Sequence, residues 1–357
     1  HRMTSIDRLR ELMAAKEVSG LFVTDRLNLR WLTGFTGSSG VCVVSPDKAV
    51  FLTDSRYRVQ AADEVSGAEV ITYGSPKTQD EMLADIFSSM GLGKIAFEKS
   101  MTFSAWEAIT QAHSSLTWEP SPELFSELRI IKTPEEIGRI KAACRLADQV
   151  MDHVTKFIKP GVKEYDVLLE LEFFLKRNGS MPSFDPIIVG GPNSAKPHGK
   201  PGERPFEVGD FVTVDLGAVY EGYVSDMTRT FVVGEASDRH KEIYNQVLKA
   251  EVECCQALQI GKTGVEVDAL ARTILDEKEL AQYFGHGLGH GIGLAVHDFG
   301  GLSPRSKNIV EVGQVWTVEP GVYLDGWGGV RIEDDVLITP EGPEILTFFP
   351  KELMVLG

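Results

Sequence analysis

An internal repeat in the second half of the sequence constrains the fold more than any other feature. The decapeptides VGDFVTVDLG (208–217) and VGQVWTVEPG (312–321) agree at Val, Gly, Thr, Val, an acidic residue and Gly, and the same offset relates residues 221–223 to 325–327. Two upstream segments also resemble each other as helix starts: GVKEYDVLLE (161–170) and GVEVDALAR (264–272). Each half therefore has the order helix, strand, turn, strand, which predicts two similar units packed about an approximate two-fold axis.

Such an axis would bring equivalent acidic residues of the two halves together. Asp215 and Glu319 occupy equivalent positions, and each precedes a turn and a strand with a further acid, Asp226 or Glu333. We expect the two members of each pair to lie side by side on an antiparallel hairpin, so that four carboxylates converge. Because like charges in a partly buried cleft repel each other and raise their pKa values, two divalent ions bridged by carboxylates would stabilise this arrangement.

The stretch FGHGLGHGIGL (284–294) has a glycine at every odd position around two histidines. A helix is disfavoured because each interior glycine costs about 1 kcal/mol relative to alanine. In an extended chain His286, Leu288, His290 and Ile292 share one face and the glycines leave the other face bare. We expect a strand that packs closely on the sheet while one histidine reaches the metal ions. A glycine-rich loop with solvated histidines is the alternative.

The first 130 residues predict a separate domain of mixed α/β type. Five apolar runs alternate there with helical patterns: SGLFVT, GVCVVS, KAVFLT, AEVITYG and GKIAFE. A capping box at Thr133 to Glu136, with Pro134 at the first helical position, then begins a helix that ends near Pro160. We therefore assign an N-terminal domain to residues 1–130 and a C-terminal domain to residues 131–357 of an α+β protein.

Composition excludes some classes of partner. The net charge of -16, from 36 basic and 52 acidic residues, argues against a nucleic-acid ligand, which requires clustered Lys and Arg. No apolar run approaches the roughly 20 residues of a membrane span. The four cysteines have neither metal-site nor disulfide spacing, which predicts reduced, buried thiols in a cytoplasmic protein.

Four motifs together resemble the pita-bread metallopeptidases, which include methionine aminopeptidase, Xaa-Pro dipeptidase (prolidase) and aminopeptidase P. They occur in the order and spacing of that family: VDLGAVYEGYVSDMTRTF, HGLGHGIGLAVHD, TVEPGVY and GVRIEDD. The N-terminal region is similar to the creatinase-type domain of the proline-specific members. This resemblance implies a homodimer with a pita-bread catalytic domain and two divalent ions per subunit. Oxygen-rich ligation with one imidazole suits Mn best, with Co or Zn as alternatives.

The resemblance also implies roles for particular residues. The metal ligands would be Asp215, Asp226, His290, Glu319 and Glu333, of which Asp226 and Glu333 bridge the ions. Glu319 would act as general base for a metal-bridging hydroxide. His198 and His297 would be catalytic residues that flank the scissile peptide and stabilise the oxyanion. The candidates for substrate contacts are His286, Phe184, Tyr223, Tyr323 and Arg331.

We expect an Xaa-Pro dipeptidase, whose substrate is a small peptide with proline at the second position. Aminopeptidase P, which acts on longer peptides, is the main alternative, and a non-catalytic pita-bread binding module is a remote one. Methionine aminopeptidase is disfavoured by the N-terminal domain, and creatinase by the complete ligand set. Residues 28–40 are a candidate lid, in which Trp31 could wall the site or be an ordinary core residue. The arginines that could read a substrate carboxylate are Arg26, Arg30, Arg56 and Arg58.

Overall fold

The computed structural model describes residues 3–357. The chain forms two compact units, the first ending at Arg129 and the second beginning at Ile130. The boundary predicted from sequence lies one residue further along the chain. In the part of the chain that is described, no helix has both the length and the apolar character needed to cross a membrane.

The first unit is built on a six-stranded mixed sheet with the strand order β4-β3-β2-β1-β5-β6. Its strands are β1 (Leu21–Val23), β2 (Val41–Val44), β3 (Ala49–Asp54), β4 (Glu69–Tyr73), β5 (Lys94–Phe97) and β6 (Thr117–Pro120). Its helices are α1 (Ser5–Ala15), α2 (Arg26–Thr33), α3 (Arg58–Glu64), α4 (Gln79–Ser89), α5 (Phe103–Ala112) and α6 (Phe125–Arg129). The predicted α/β character and the five predicted strands are confirmed, while β6 was not predicted.

Trp31 belongs to the core of this first unit. Its ring is buried, packs edge-to-face on Phe125 with centroids 6.0 Å apart, and lies 5.3 Å from the Arg8 guanidinium carbon. Residues 28–33 of the segment proposed as a lid are part of helix α2. These contacts favour the interpretation of Trp31 as an ordinary core residue.

The second unit contains two larger sheets, with strand orders β19-β11-β8-β7 and β13-β12-β14-β17-β18, and the two-stranded sheets β9-β10 and β15-β16. Its helices are α7 (Pro134–Thr155), α8 (Glu164–Arg177), α9 (Asp238–Gln256) and α10 (Gly264–Asp276). The strands of its first half are β7 (Ile187–Gly190), β8 (Phe211–Leu216), β9 (Val219–Tyr220), β10 (Tyr223–Val224) and β11 (Met227–Val233). The remaining strands are β12 (Gly289–Gly291), β13 (Asp298–Leu302), β14 (Val315–Val318), β15 (Gly321–Leu324), β16 (Gly328–Arg331), β17 (Asp334–Thr339), β18 (Gly342–Ile345) and β19 (Val355–Leu356).

The repeat is visible in this order of elements, because two helices precede the strands in each half. The alignment of the helix starts, however, needs a correction. Gly161 and Gly261 both have positive φ, +90° and +94°, and each stands two residues before an N-cap, Lys163 or Thr263. Gly161 is therefore equivalent to Gly261, and the sequence-based pairing of Gly161 with Gly264 was wrong by three residues. The left-handed turn, which favours glycine, identifies the correct partner.

Strand register corrects the predicted hairpin pairing in one half. In the first half, Asp215 on β8 lies opposite Thr228 on β11. In the second half, Val318 lies opposite Asp334, so Glu319 and Glu333 are the next two residues to face each other, just beyond the last pair of the ladder. Thr228 is thus the equivalent of Glu333, and the two residues exchange backbone hydrogen bonds of 3.3 and 3.0 Å across the axis. Asp226 lies two residues earlier, on the same face as Thr228.

The glycines on either side of His290 allow very close backbone approach. A Cβ on Gly289 would lie 1.8 Å from the Thr317 carbonyl oxygen, and one on Gly291 would lie 2.2 Å from the Phe299 carbonyl oxygen. Strand β12 fits between β13 and β14 for this reason. It spans three residues, so the strand is shorter than the glycine pattern predicted.

We predict that Gly289→Ala lowers the free energy of unfolding by about 1–3 kcal/mol or more, because the added methyl overlaps the neighbouring backbone. Urea unfolding followed by circular dichroism measures this loss. Gly285→Ala is the matched control, since a Cβ there meets no atom within 4 Å. Similar losses in both variants would contradict the close approach of β12.

Candidate metal centre

The five predicted ligands lie on strands or strand ends of both halves of the second unit. Asp215 is on β8, Asp226 immediately precedes β11, and His290 is the central residue of β12. Glu319 follows β14 and Glu333 precedes β17. Each of these residues except Asp215 contributes a ligand-type atom to one group in which all atoms lie within 4.8 Å of one another. Asp215 lines the same cavity as Asp226, His290 and Glu319.

Several oxygens of this cluster have no hydrogen-bond partner in residues 3–357. They are Asp215 Oδ1, Asp226 Oδ1 and Glu333 Oε2, and all three are buried. A buried polar atom without a partner is costly, and a buried charge costs more. Hard oxygen donors together with one imidazole form a donor set that suits divalent cations. The residues therefore fit the metal centre that the sequence predicts.

The His290 ring is oriented as a metal ligand would be. Its Nδ1 lies 2.9 Å from the Gly291 carbonyl oxygen, which assigns the ring proton to Nδ1. Its Nε2 is then directed at Asp226 Oδ2 and Glu319 Oε2, at 3.4 and 3.6 Å. The His290 backbone N–H donates to Thr317 Oγ1 at 3.0 Å and holds the residue in place. Metal-binding histidines commonly donate their second ring N–H to a carbonyl in this way.

The carboxylates cannot all be ionised without cations. Burial raises the pKa of Glu333 well above its ordinary value, and the nearby charges of Asp226 and Glu319 raise it further. Burial and Asp226 likewise raise the pKa of Asp215, against the opposing effect of Arg331. Burial also opposes ionisation of Glu319, but the neighbouring Glu333 and His290 outweigh it and lower the Glu319 pKa. Bound divalent ions would relieve this repulsion, and their binding would release any protons held by the carboxylates.

Neighbouring residues that the sequence analysis missed hold the ligands in place. Thr228 Oγ1 donates to Glu333 Oε1 at 2.7 Å, and the Asp226 backbone N–H donates to Asp335 Oδ2 at 3.0 Å. Thr228 could not be found from the repeat, because the offset of 104 residues that relates Asp215 to Glu319 maps Glu333 onto Arg229. Asp335 could not be found either, because it resembles a solvated acid next to Glu333 and Asp334 in sequence.

Arg331, Tyr323 and His286 form a hydrogen-bonded chain that begins at a predicted ligand. Arg331 Nη2 donates to Asp215 Oδ2 at 2.9 Å, and its Nη1 donates to the Tyr323 hydroxyl at 2.8 Å. The Tyr323 hydroxyl lies 2.8 Å from His286 Nε2, while His286 Nδ1 faces the Gly287 carbonyl oxygen. Burial lowers the pKa of His286. The imidazole is therefore a neutral acceptor for Tyr323.

Two cavities adjoin the cluster. The first has a volume of about 480 Å³ and exposes four of the five predicted ligands. The residues that line it are Leu168, Glu172, Phe184, Asp185, Pro186, Ile187, His198, Gly199, Lys200, Pro201, Asp215, Asp226, His290, Val296, His297 and Glu319. We call it the metal cleft. The second, of about 780 Å³, contains His286 and Tyr323, and His198 borders both cavities. The His297 ring lies 4.2 Å from the His290 ring.

Tyr223 is placed differently from the other predicted substrate contacts. Its hydroxyl donates to Glu136 Oε2 at 2.6 Å, near the start of α7, and its ring is buried beneath the Arg139 guanidinium. Tyr223 is therefore packed inside the domain and is not among the residues that line the metal cleft. Strand β10, a two-residue strand paired with β9, directs the side chain there.

The sequence and the fold are similar to those of known proteins. Residues 138–340 match the description "Metallopeptidase family M24", and residues 5–131 match "Creatinase/Prolidase N-terminal domain". An Xaa-Pro dipeptidase of Pyrococcus furiosus is 35% identical over 98% of this chain and 99% of its own length. The structure described as Xaa-Pro dipeptidase from Bacillus anthracis superposes with a TM-score of 0.95 at 43% identity, over 99% of both chains. The structure of X-Pro aminopeptidase from Thermotoga maritima superposes with a TM-score of 0.90 at 32% identity, over 99% of this chain and 100% of its own chain. The predicted two-domain α+β architecture is confirmed, and the chain belongs to metallopeptidase family M24.

Proposed function

We propose that this chain hydrolyses Xaa-Pro peptide bonds, with Xaa-Pro dipeptides as its preferred substrates and two divalent ions as cofactors. The observation that carries this proposal is the convergence of unpartnered carboxylate oxygens with His290 Nε2 at the floor of the metal cleft. The names of the Pyrococcus and Bacillus relatives support the substrate class. Mn as the native ion, the homodimer and the cytoplasmic location remain predictions from sequence.

The ions would be held by Asp215, Asp226, His290, Glu319 and Glu333. When bound, they would supply positive charge that polarises the scissile carbonyl and lowers the pKa of water. The side chains that surround the site would then hold the peptide and move protons.

Glu319 is suited to proton transfer. It lines the metal cleft as an ionised carboxylate, so that it could accept a proton from the attacking water and pass it to the leaving nitrogen. His198 and His297 stand at the rim of the same cleft. Burial and the neighbouring His290 lower the pKa of His297, which leaves a neutral imidazole able to donate one hydrogen bond to the peptide or its oxyanion.

The apolar part of the metal cleft suits proline as the residue after the scissile bond. A proline nitrogen carries no hydrogen once it is in a peptide, so recognition must rest on shape and apolar contact. Phe184, Pro186, Ile187 and Val296 are apolar residues that line this cleft. Of the predicted substrate contacts, Phe184 therefore enters this proposal directly.

Hydrolysis of longer Xaa-Pro peptides is the second candidate, because the Thermotoga aminopeptidase has a very similar fold over its whole length. The two candidates share the metal centre and differ in what lies beyond proline. A dipeptidase requires a group that pairs with the free carboxylate, whereas an aminopeptidase requires space for more residues.

We predict that Mn²⁺ stabilises the wild-type protein against thermal unfolding more than it stabilises Glu333→Gln. An ion present at 100 times its Kd adds about 2.7 kcal/mol to the free energy of unfolding. Glu333→Gln replaces a negatively charged metal-binding carboxylate with a neutral amide and should weaken this effect. In chelator at pH 8, Glu333→Gln should unfold at the same or a higher temperature, because it removes repulsion of Asp226 and Glu319. Differential scanning calorimetry measures both effects.

The matched control for this measurement is Glu172→Gln, an acid of the same cleft that lies outside the ligand group. It should keep the full stabilisation by Mn²⁺. Equal stabilisation of Glu333→Gln and wild type would contradict the assignment of Glu333 as a ligand.

We predict that the Mn²⁺-loaded enzyme releases proline from Ala-Pro with a higher kcat/KM than it releases alanine from Ala-Pro-Ala. Quantitative amino-acid analysis of both products measures the two rates. Equal or faster cleavage of the tripeptide would favour the aminopeptidase. Absence of turnover on both peptides would contradict the proposed function itself.

A further inference from the structure

The loop from Gly190 to Gly202 is anchored by one buried carboxylate. Glu164, the first residue of α8, is fully buried, and its Oε2 accepts the Gly190 N–H at 2.6 Å while its Oε1 accepts the Gly202 N–H at 3.1 Å. The side-chain amide of Asn193 donates to both oxygens at 3.4 and 3.3 Å. Both ends of the loop are thus fixed to α8, and His198 and Lys200 are carried between them.

Helix α8 and this anchored loop both contribute to the wall of the metal cleft. Leu168 and Glu172 come from the helix, and the loop adds the segment from His198 to Pro201. A Cβ on Gly199 would lie 2.9 Å from Val189 Cγ1, so the loop packs tightly on β7 at this point. The backbone position of Lys200 at the cleft is therefore set by packing and hydrogen bonds on several sides.

Lys200 is the one lysine or arginine among the residues that line the metal cleft. Its side chain is exposed, and it has neither an ion pair nor a side-chain hydrogen bond with any residue in the range 3–357. Glu172 and Asp185 line the same cleft without pairing with it. Lys200 is therefore a free positive charge at the edge of a site that is otherwise acidic, apolar or histidine-lined.

This placement complements the carboxylate of a C-terminal proline. The proline carboxylate is attached to the carbon that also carries the ring, so it must emerge beside the apolar wall that receives the ring. Lys200 lines the same cleft as the apolar residues Phe184 and Ile187. An ammonium group on a flexible stem can pair with a carboxylate without the fixed geometry that a guanidinium requires. The remaining charged side chains of the cleft, Glu172 and Asp185 among them, would repel that carboxylate.

We propose that Lys200 recognises the free carboxylate of the residue that follows the scissile bond and thereby directs the enzyme towards Xaa-Pro dipeptides. This inference rests on the proposed function and adds a specificity-determining residue to it. It is an alternative to the four N-terminal arginines considered for this role from the sequence.

The test compares Ala-Pro with alanyl-prolinamide, which has the same scissile bond and ring but no negative charge. With the Mn²⁺-loaded full chain, we expect Lys200→Ala to lower the ratio of kcat/KM for Ala-Pro to kcat/KM for the amide about tenfold, mainly through KM. Lys200→Arg should restore most of the ratio. Lys196→Ala is the matched control, since Lys196 is an exposed lysine of the same loop that does not line the cleft.

The possible results separate this inference from the function on which it rests. A ratio for Lys200→Ala within about twofold of the wild-type ratio would overturn the role of Lys200 and leave Xaa-Pro hydrolysis intact. An equal fall in Lys196→Ala would also overturn it, because the effect would then reflect general charge. Failure of the wild-type enzyme to cleave either substrate would overturn both proposals.

Discussion

Repulsion among buried carboxylates is the constraint on which the catalytic domain depends. Asp215, Asp226, Glu319 and Glu333 converge from both halves of the repeat. The cationic or imidazole partners beside them are Arg331 and His290. Three oxygens of this group remain without a partner in the described residues. Buried carboxylate oxygens without partners are costly, and bound cations would offset that cost. Backbone hydrogen bonds between Thr228 and Glu333 join the two halves of the domain beside these charges.

A second acidic cluster shows how the same domain neutralises charge when no metal is needed. Asp334 is directed to the opposite side of the strand from Glu333, as alternation requires. There it receives Arg229 Nη2 at 2.8 Å and Lys351 Nζ at 2.8 Å, and Lys351 also donates to Glu251 Oε2 at 2.9 Å. Arg229 Nη1 further donates to the Glu333 carbonyl oxygen at 2.7 Å. Asp334 is thus paired with two protein cations, whereas among the predicted ligands Arg331 pairs with Asp215 alone.

Much of this architecture could be predicted from sequence because a repeat carries geometric information. The equivalence of Asp215 and Glu319, and the need for bare glycine backbone around His290, both follow from residue patterns. Asp226 was assigned to the wrong hairpin position, because sequence spacing does not reveal that Thr228 lies opposite Asp215. Contacts such as that of Asp335 with the Asp226 N–H join residues that are distant in the chain, so no local pattern reports them.

The number of Mn²⁺ ions bound per chain tests the central claim most directly. Metal-free protein would be dialysed against Mn²⁺ at neutral pH, and bound metal would be counted by mass spectrometry of the digested sample. Two ions per chain are predicted, because four carboxylates and one imidazole provide enough donors for a dinuclear centre. A chain that binds no ion above the background of buffer would contradict the account, since its buried carboxylates would then serve another purpose.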